Sequence, residues 1–253
     1  MKPLISLRHP PRTFVGFWVA MALTLSFSSA NAQDEADPAG WTFKLTPSWY
    51  ATQHESNAID VNLRSNQGQH TIWLGHYTRG NEFEQTRWGY EYNANFDWGQ
   101  MVPSLQLATH GFLGGSLNFQ VGGANYVLAG LGRTNLKDYY NLTFDPNDAY
   151  LIGIGSKAIE NHAFNLFAVK DNRLQTGQKV VHGTWRWQKD TQHRWSVDIS
   201  HKSGRLTPES PYLSGNAISI TWDVDKHFVR LAKEQKVNFS DHDQQRISVG
   251  LRF

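Results

Sequence analysis

Two residues late in the chain have the types and spacing for nucleophilic chemistry. His201 and Ser203 stand two apart in the run Asp198-Ile-Ser-His201-Lys-Ser203-Gly-Arg205, so in an extended strand they share one face. A serine beside a histidine forms a nucleophile–base pair when a third group orients the imidazole. The pair continues the row Trp195, Val197 and Ile199, so polar groups would end an otherwise apolar face. The competing reading is that residues 201–205 have simply left an apolar layer. The nearest downstream carboxylate is Glu209.

A second set of residues suggests a polar interior. Asp60, Arg64, Arg87, Glu91, Arg186, Asp198, Asp223, Arg230, Glu234 and Arg246 fall on the opposite parity from apolar neighbours. Both signs occur, so no strong ion preference is expected. Such a lining is either a narrow pore or a closed network of ion pairs. The stretch Thr134–Asn147 holds Lys137, Asp138, Tyr139, Tyr140, Asp145 and Pro146. Its Asp-Pro-Asn-Asp run is a turn signal. Binding of Ca²⁺, bridging of lipopolysaccharide phosphates and a fold back into the interior as a constriction are all open to its carboxylates, and no ligand follows from the composition. The chain has eleven histidines and no cysteine. None of the histidines forms H-x-x-x-H or a Cys/His cluster with ligand spacing, so neither a metal nor a cofactor is expected.

These side chains need strands to position them. Trp88, Tyr90, Tyr92, Ala94 and Phe96 alternate with Arg87, Gly89, Glu91, Asn93 and Asn95, a period of two. The same split separates Ile59/Val61/Leu63 from Asp60/Asn62/Arg64, and Ile218/Ile220/Trp222 from Ser219/Thr221/Asp223. No window beyond two turns keeps a helical apolar period. The pattern predicts strands near 41–52, 58–65, 70–79, 84–97, 102–112, 116–123, 125–133, 148–157, 162–170, 178–188, 193–203, 216–224, 227–236 and 244–253. That is fourteen strands, or twelve if two pairs merge. Tight turns alternate with longer connections, the longest being 134–147 and 204–215. The expected fold is all-β: a closed antiparallel transmembrane barrel over residues 41–253.

The first residues read differently. Lys2, Arg8 and Arg12 precede an apolar run from Phe14 to Phe27, and Ala30-Asn31-Ala32 follows. This is the layout of a secretory signal over 1–32 with cleavage after Ala32. Residues 33–40 are acidic and turn-rich, a short periplasmic tail. Net charge is +2, which gives no electrostatic case for nucleic acid. Mean hydropathy is −0.51, an average that hides alternating faces in a barrel. Aromatics reach 13%, with ten Trp, as interfacial girdles require.

The final segment, Arg246-Ile-Ser-Val-Gly-Leu-Arg-Phe253, resembles the terminal signature of bacterial outer-membrane barrels, which end on an aromatic after alternating apolar residues. That resemblance implies an outer-membrane location, contact with lipid and lipopolysaccharide, and handling by the outer-membrane insertion machinery. The H-x-S of His201 and Ser203 resembles the lipid A 3-O-deacylase family, which implies Ser203 as nucleophile and His201 as base. That family places a Glu about twelve residues after its Ser, where this chain has Ser214-Gly215-Asn216, and its barrel has eight strands. Three functions follow in order: a narrow pore for small solutes or a structural surface protein, a surface lipid hydrolase, and a soluble periplasmic β-sandwich.

Overall fold

The computed structural model describes residues 40–253 apart from 141, 143 and 144. The leader expected over 1–32, and the tail over 33–40 save Gly40, lie outside the described residues. The strands are β1 (Thr42–Thr52), β2 (Ala58–Gln67), β3 (His70–Arg79), β4 (Phe83–Tyr92), β5 (Ala94–Phe96), β6 (Gly99–Ala108), β7 (Phe112–Gly122) and β8 (Asn125–Thr134). After a long connection come β9 (Ala149–Ser156), β10 (His162–Asp171), β11 (Lys179–Gln188), β12 (His193–Gly204), β13 (Leu213–Val224), β14 (His227–Glu234) and β15 (Gln244–Arg252).

All the strands belong to one antiparallel sheet, and it closes. β1 pairs with β15, and β4 and β5 pair with β6, so no edge is left open. β4 and β5 are one stave, because Glu91↔Ser104 and Ala94↔Met101 keep a single register on β6. The expected single strand 84–97 is broken there. The break lies opposite Pro103, whose ring nitrogen has no hydrogen for a ladder. The ring therefore has fourteen staves, not twelve, and one closed sheet excludes a two-sheet sandwich. At the seam Phe43 N donates to Phe253 O at 2.7 Å and Phe253 N to Phe43 O at 3.0 Å. Their rings stack at 5.6 Å.

The distribution of polarity is inverted relative to a water-soluble protein. Ile152, Ile154, Leu166, Leu231 and Val249 are exposed, whereas Asp60, Arg87, Lys202 and Asp223 are buried. A continuous apolar outer surface marks contact with lipid. In that medium each backbone N–H and C=O must be paired within the protein, which a closed barrel achieves. No described helix is long and apolar enough to cross a membrane; the strands cross instead. Outward aromatics crowd toward the rim that holds both barrel ends. Trp195 stacks on Trp222 at 5.6 Å, Phe96 on Trp98 at 4.8 Å, and Trp185 donates to His162 Nδ1 at 2.9 Å. This is the girdle expected of amphipathic rings at a lipid–water boundary.

The two rims differ as the sequence suggests. Turns 68–69, 97–98, 123–124 and 225–226 lie on the rim with the chain ends. Connections 135–148, 172–178, 205–212 and 235–243 lie on the other. Short turns face the periplasm in this class of barrel, so the long connections face outward. The expected connection 204–215 is shorter in the structure because β12 and β13 extend to meet each other.

Inside, one aromatic lies flat over a glycine on the neighbouring strand. Gly250 pairs with Phe228, and a Cβ on Gly250 would fall 1.8 Å from that ring. The ring can only lie there because the glycine has no side chain. Gly250→Ala is expected to push Phe228 off the wall and cost about 1–3 kcal/mol, the usual range for overpacking. Urea unfolding in lipid vesicles measures it.

Candidate functional site: the lumen and its inward loop

All eight residues expected to line the lumen point inward. Arg64, Arg87, Glu91, Arg186, Asp198, Asp223, Arg230 and Glu234 alternate with the lipid-facing rows of β2, β4, β11, β12, β13 and β14. Buried charges need partners, and the strands supply them. Arg64 meets Glu91 at 2.6 Å. Arg87 pairs with Asp60, Lys202 with Glu234, and Arg252 with Asp223. Arg194 reaches the same Asp223 at 3.2 Å. His182 lies on β11 and meets Asp198 at 3.0 Å through Nδ1.

The decisive feature is the connection 135–148. Its described residues do not stand above the rim; they fold into the barrel. Its root is fixed near β8 and β9, where Thr134 Oγ1 donates to Asp148 at 2.6 Å and Arg173 meets Asp148 at 2.9 Å. Tyr139 stacks on Phe112 at 4.3 Å, and Tyr140 on Tyr77 at 4.5 Å. Tyr140 N donates to Gln85 at 3.2 Å, and Gln244 donates to the Tyr140 hydroxyl at 3.4 Å. Arg246 donates to Leu142 O at 3.3 Å. On its return, Asp145 meets His182 Nε2 at 3.0 Å.

The ring order shows how far this loop reaches. From β8 to β15 is seven staves in either direction around a ring of fourteen. A segment rooted at β8 that touches Gln244 and Arg246 on β15 therefore crosses the full diameter. The connection 235–243 narrows the same mouth. Val237 and Phe239 are buried there, with Lys236, Asn238 and Phe239 in left-handed backbone. Non-glycine residues hold such backbone only where surrounding contacts fix it.

No protein-family model matches the sequence, and no curated protein matches it. Solved structures do. The outer membrane protein Omp33 of Acinetobacter baumannii aligns over 85% of this chain and 99% of its own, at 10% identity and a TM-score of 0.57. The fold is that of the outer-membrane β-barrels. The KdgM porin aligns over 83% and 99% at 10% identity and a TM-score of 0.46. OmpF of Salmonella typhi aligns over 85% and 97% at 9% identity and 0.46.

The surface pair also has a defined place in this barrel. His201 and Ser203 lie on the outward face of β12, near the rim with the long connections. The imidazole does not meet Glu209, which is exposed in the connection 205–212. It meets Asn216 on β13: Nδ1 and Asn216 Oδ1 are 2.9 Å apart across a directly paired position. Sequence reading found no acid near that position and missed the amide. The signal was the register, since a β12–β13 hairpin connected by 205–212 sets residue 216 opposite residue 201. Among the described residues no group of three or more His, Cys, Asp or Glu could hold a metal ion.

Proposed function

We propose that this chain is a passive outer-membrane pore for small solutes, with loop 135–148 as its constriction. The observation that supports it is the loop's crossing of the whole lumen, from β8 to β15. The outer belt buries in acyl chains, and the backbone is satisfied around the ring. What remains for transport is the polar interior. Solutes pass a lining of fixed charges and a constriction of side chains that sets size and charge preference. The external partners of this reading are lipid and lipopolysaccharide, and the outer-membrane insertion machinery acts during assembly. The test is conductance of the purified barrel in planar bilayers. Discrete steps of small amplitude are expected. A barrel that shifts mobility on an unheated gel but never conducts would overturn the pore.

A second reading rests on the His201–Asn216 contact. With the proton on Nδ1, the asparagine oxygen accepts it and leaves Nε2 as a base for Ser203. Histidine with an asparagine orienter is a known variant of the hydrolase triad. The pair faces outward, where an acyl ester of phospholipid or lipopolysaccharide would lie. The expected result is slow acyl release from mixed micelles that disappears in Ser203→Ala. Acyl release unchanged by that substitution rejects the pair as catalytic.

A further inference from the structure

The charges of the lumen are sorted by height. In the half nearest the short-turn rim, the inward positions of the strands carry Lys44, Arg64, Arg186, Arg194, Arg230 and Arg252. Among the described residues two inward carboxylates share that half, Glu91 and Asp223. In the half nearest the loop the signs are mixed: Asp60, Asp145, Asp148, Asp171, Asp198 and Glu234 gather there with Arg79, Arg87, Arg173, Lys202 and Arg246.

Phe228 stands at the centre of the cationic half. It is 3% exposed, and three cations approach its ring: Lys44 Nζ at 4.9 Å, Arg252 Cζ at 5.3 Å and Arg230 Cζ at 5.8 Å. One aromatic face attracts a cation, but it carries no net charge to offset three. The register makes the crowding explicit. Arg252, Lys44 and Arg64 occupy one row across β15, β1 and β2, and like charges directly opposite destabilise a sheet. The carboxylates are already committed. Asp223 holds Arg252 and Arg194, and Glu91 holds Arg64. Arg230 donates Nε to Thr221 Oγ1 at 2.9 Å. Among the described residues no carboxylate oxygen lies within 4.0 Å of Lys44 or Arg230.

Arg252 and Arg64 of that row have carboxylate partners within the wall; a countercharge for Lys44 and Arg230 would have to come from the solution in the lumen. We infer that the periplasmic half of the lumen binds a small oxyanion, a carboxylate or phosphate group, between Lys44, Arg230 and Arg252. The flat guanidinium forks donate to the oxygens of such a group, and Lys44 adds a point charge. Phe228 walls the site from below, over Gly250. The inference rests on the pore reading for its consequence in transport, though binding itself does not.

Two measurements separate these claims. In a salt gradient across a planar bilayer, the open barrel is expected to reverse near the chloride potential. The double variant Lys44→Gln/Arg230→Gln is expected to lose most of that preference, while Lys226→Gln on the exposed turn keeps it. A conducting barrel with cation preference or none overturns the inference and leaves the pore intact. The second measurement needs no current. Millimolar phosphate or succinate should raise the urea midpoint of the folded barrel above that in chloride of equal ionic strength, and should do so only when Lys44 and Arg230 are present. A rise with phosphate alone would assign a phosphate site, and one with succinate alone a carboxylate site. A rise that survives the double variant, or no rise with either anion, overturns the inference even if the barrel conducts.

Discussion

Replacing residues 137–146 by a short Gly-Ser turn is expected to raise single-channel conductance several-fold while the barrel still folds. The deleted segment contributes no ladder between strands; β8 and β9 are paired directly beneath it, from Asn125↔Ser156 to Leu131↔Tyr150. Removing it therefore leaves the ring closed. What is lost is the stacking of Tyr139 on Phe112 and of Tyr140 on Tyr77, together with the bridge from Asp145 to His182. Water then replaces protein across the diameter. His182→Ala tests the same idea more gently. It removes one anchor and leaves Tyr139, Tyr140 and Leu142 docked on the far wall, so flickering between levels is expected, not a fully open pore. Conductance unchanged by the deletion would place the current path elsewhere.

The wall of this barrel was readable from parity, and its contents were not. Alternation over Trp88–Phe96 fixes which side chains meet lipid, and one misplaced residue would turn every side chain to the wrong face. Hence parity alone sets the eight charges on the face opposite the lipid-facing rows. The break at Asn93 was hidden because it depends on a proline opposite, on β6, and not on the broken strand itself. The loop was hidden for a different reason. Tyr139 and Tyr140 carry no period, and their partners Phe112 and Tyr77 lie on other staves, remote in sequence. An aromatic pair in a connection reads the same whether it caps a rim or fills a lumen. Charge sorting was within reach. Lys44, Arg194 and Arg252 each lie within three residues of a strand end at one rim, but a list of both signs averages that away. His182 looked solitary because both of its carboxylates arrive from elsewhere, Asp198 on β12 and Asp145 in the loop.

Ile152→Lys should reverse the usual rule for surface substitutions. Ile152 lies mid-way along β9 and is 69% exposed. In a water-soluble protein a substitution so exposed changes stability by about 0.5 kcal/mol or less. In this barrel the same position faces the acyl chains, between Tyr150 and Ile154 on one lipid-facing row. A lysine near the bilayer midplane costs about 2–4 kcal/mol, because its ammonium must either shed water or drag it into hydrocarbon. The measurement is reversible folding into phospholipid vesicles, read by unheated gel mobility across a urea series. Thr184→Lys is the matching control. It places the same group on the inward face of β11, beside the polar Asn165, where water and hydrogen bonds can receive it, so a smaller loss is expected. Equal losses at the two positions would mean that outside and inside are solvated alike. The apolar belt would then face water, and the membrane assignment would fall along with the pore built on it.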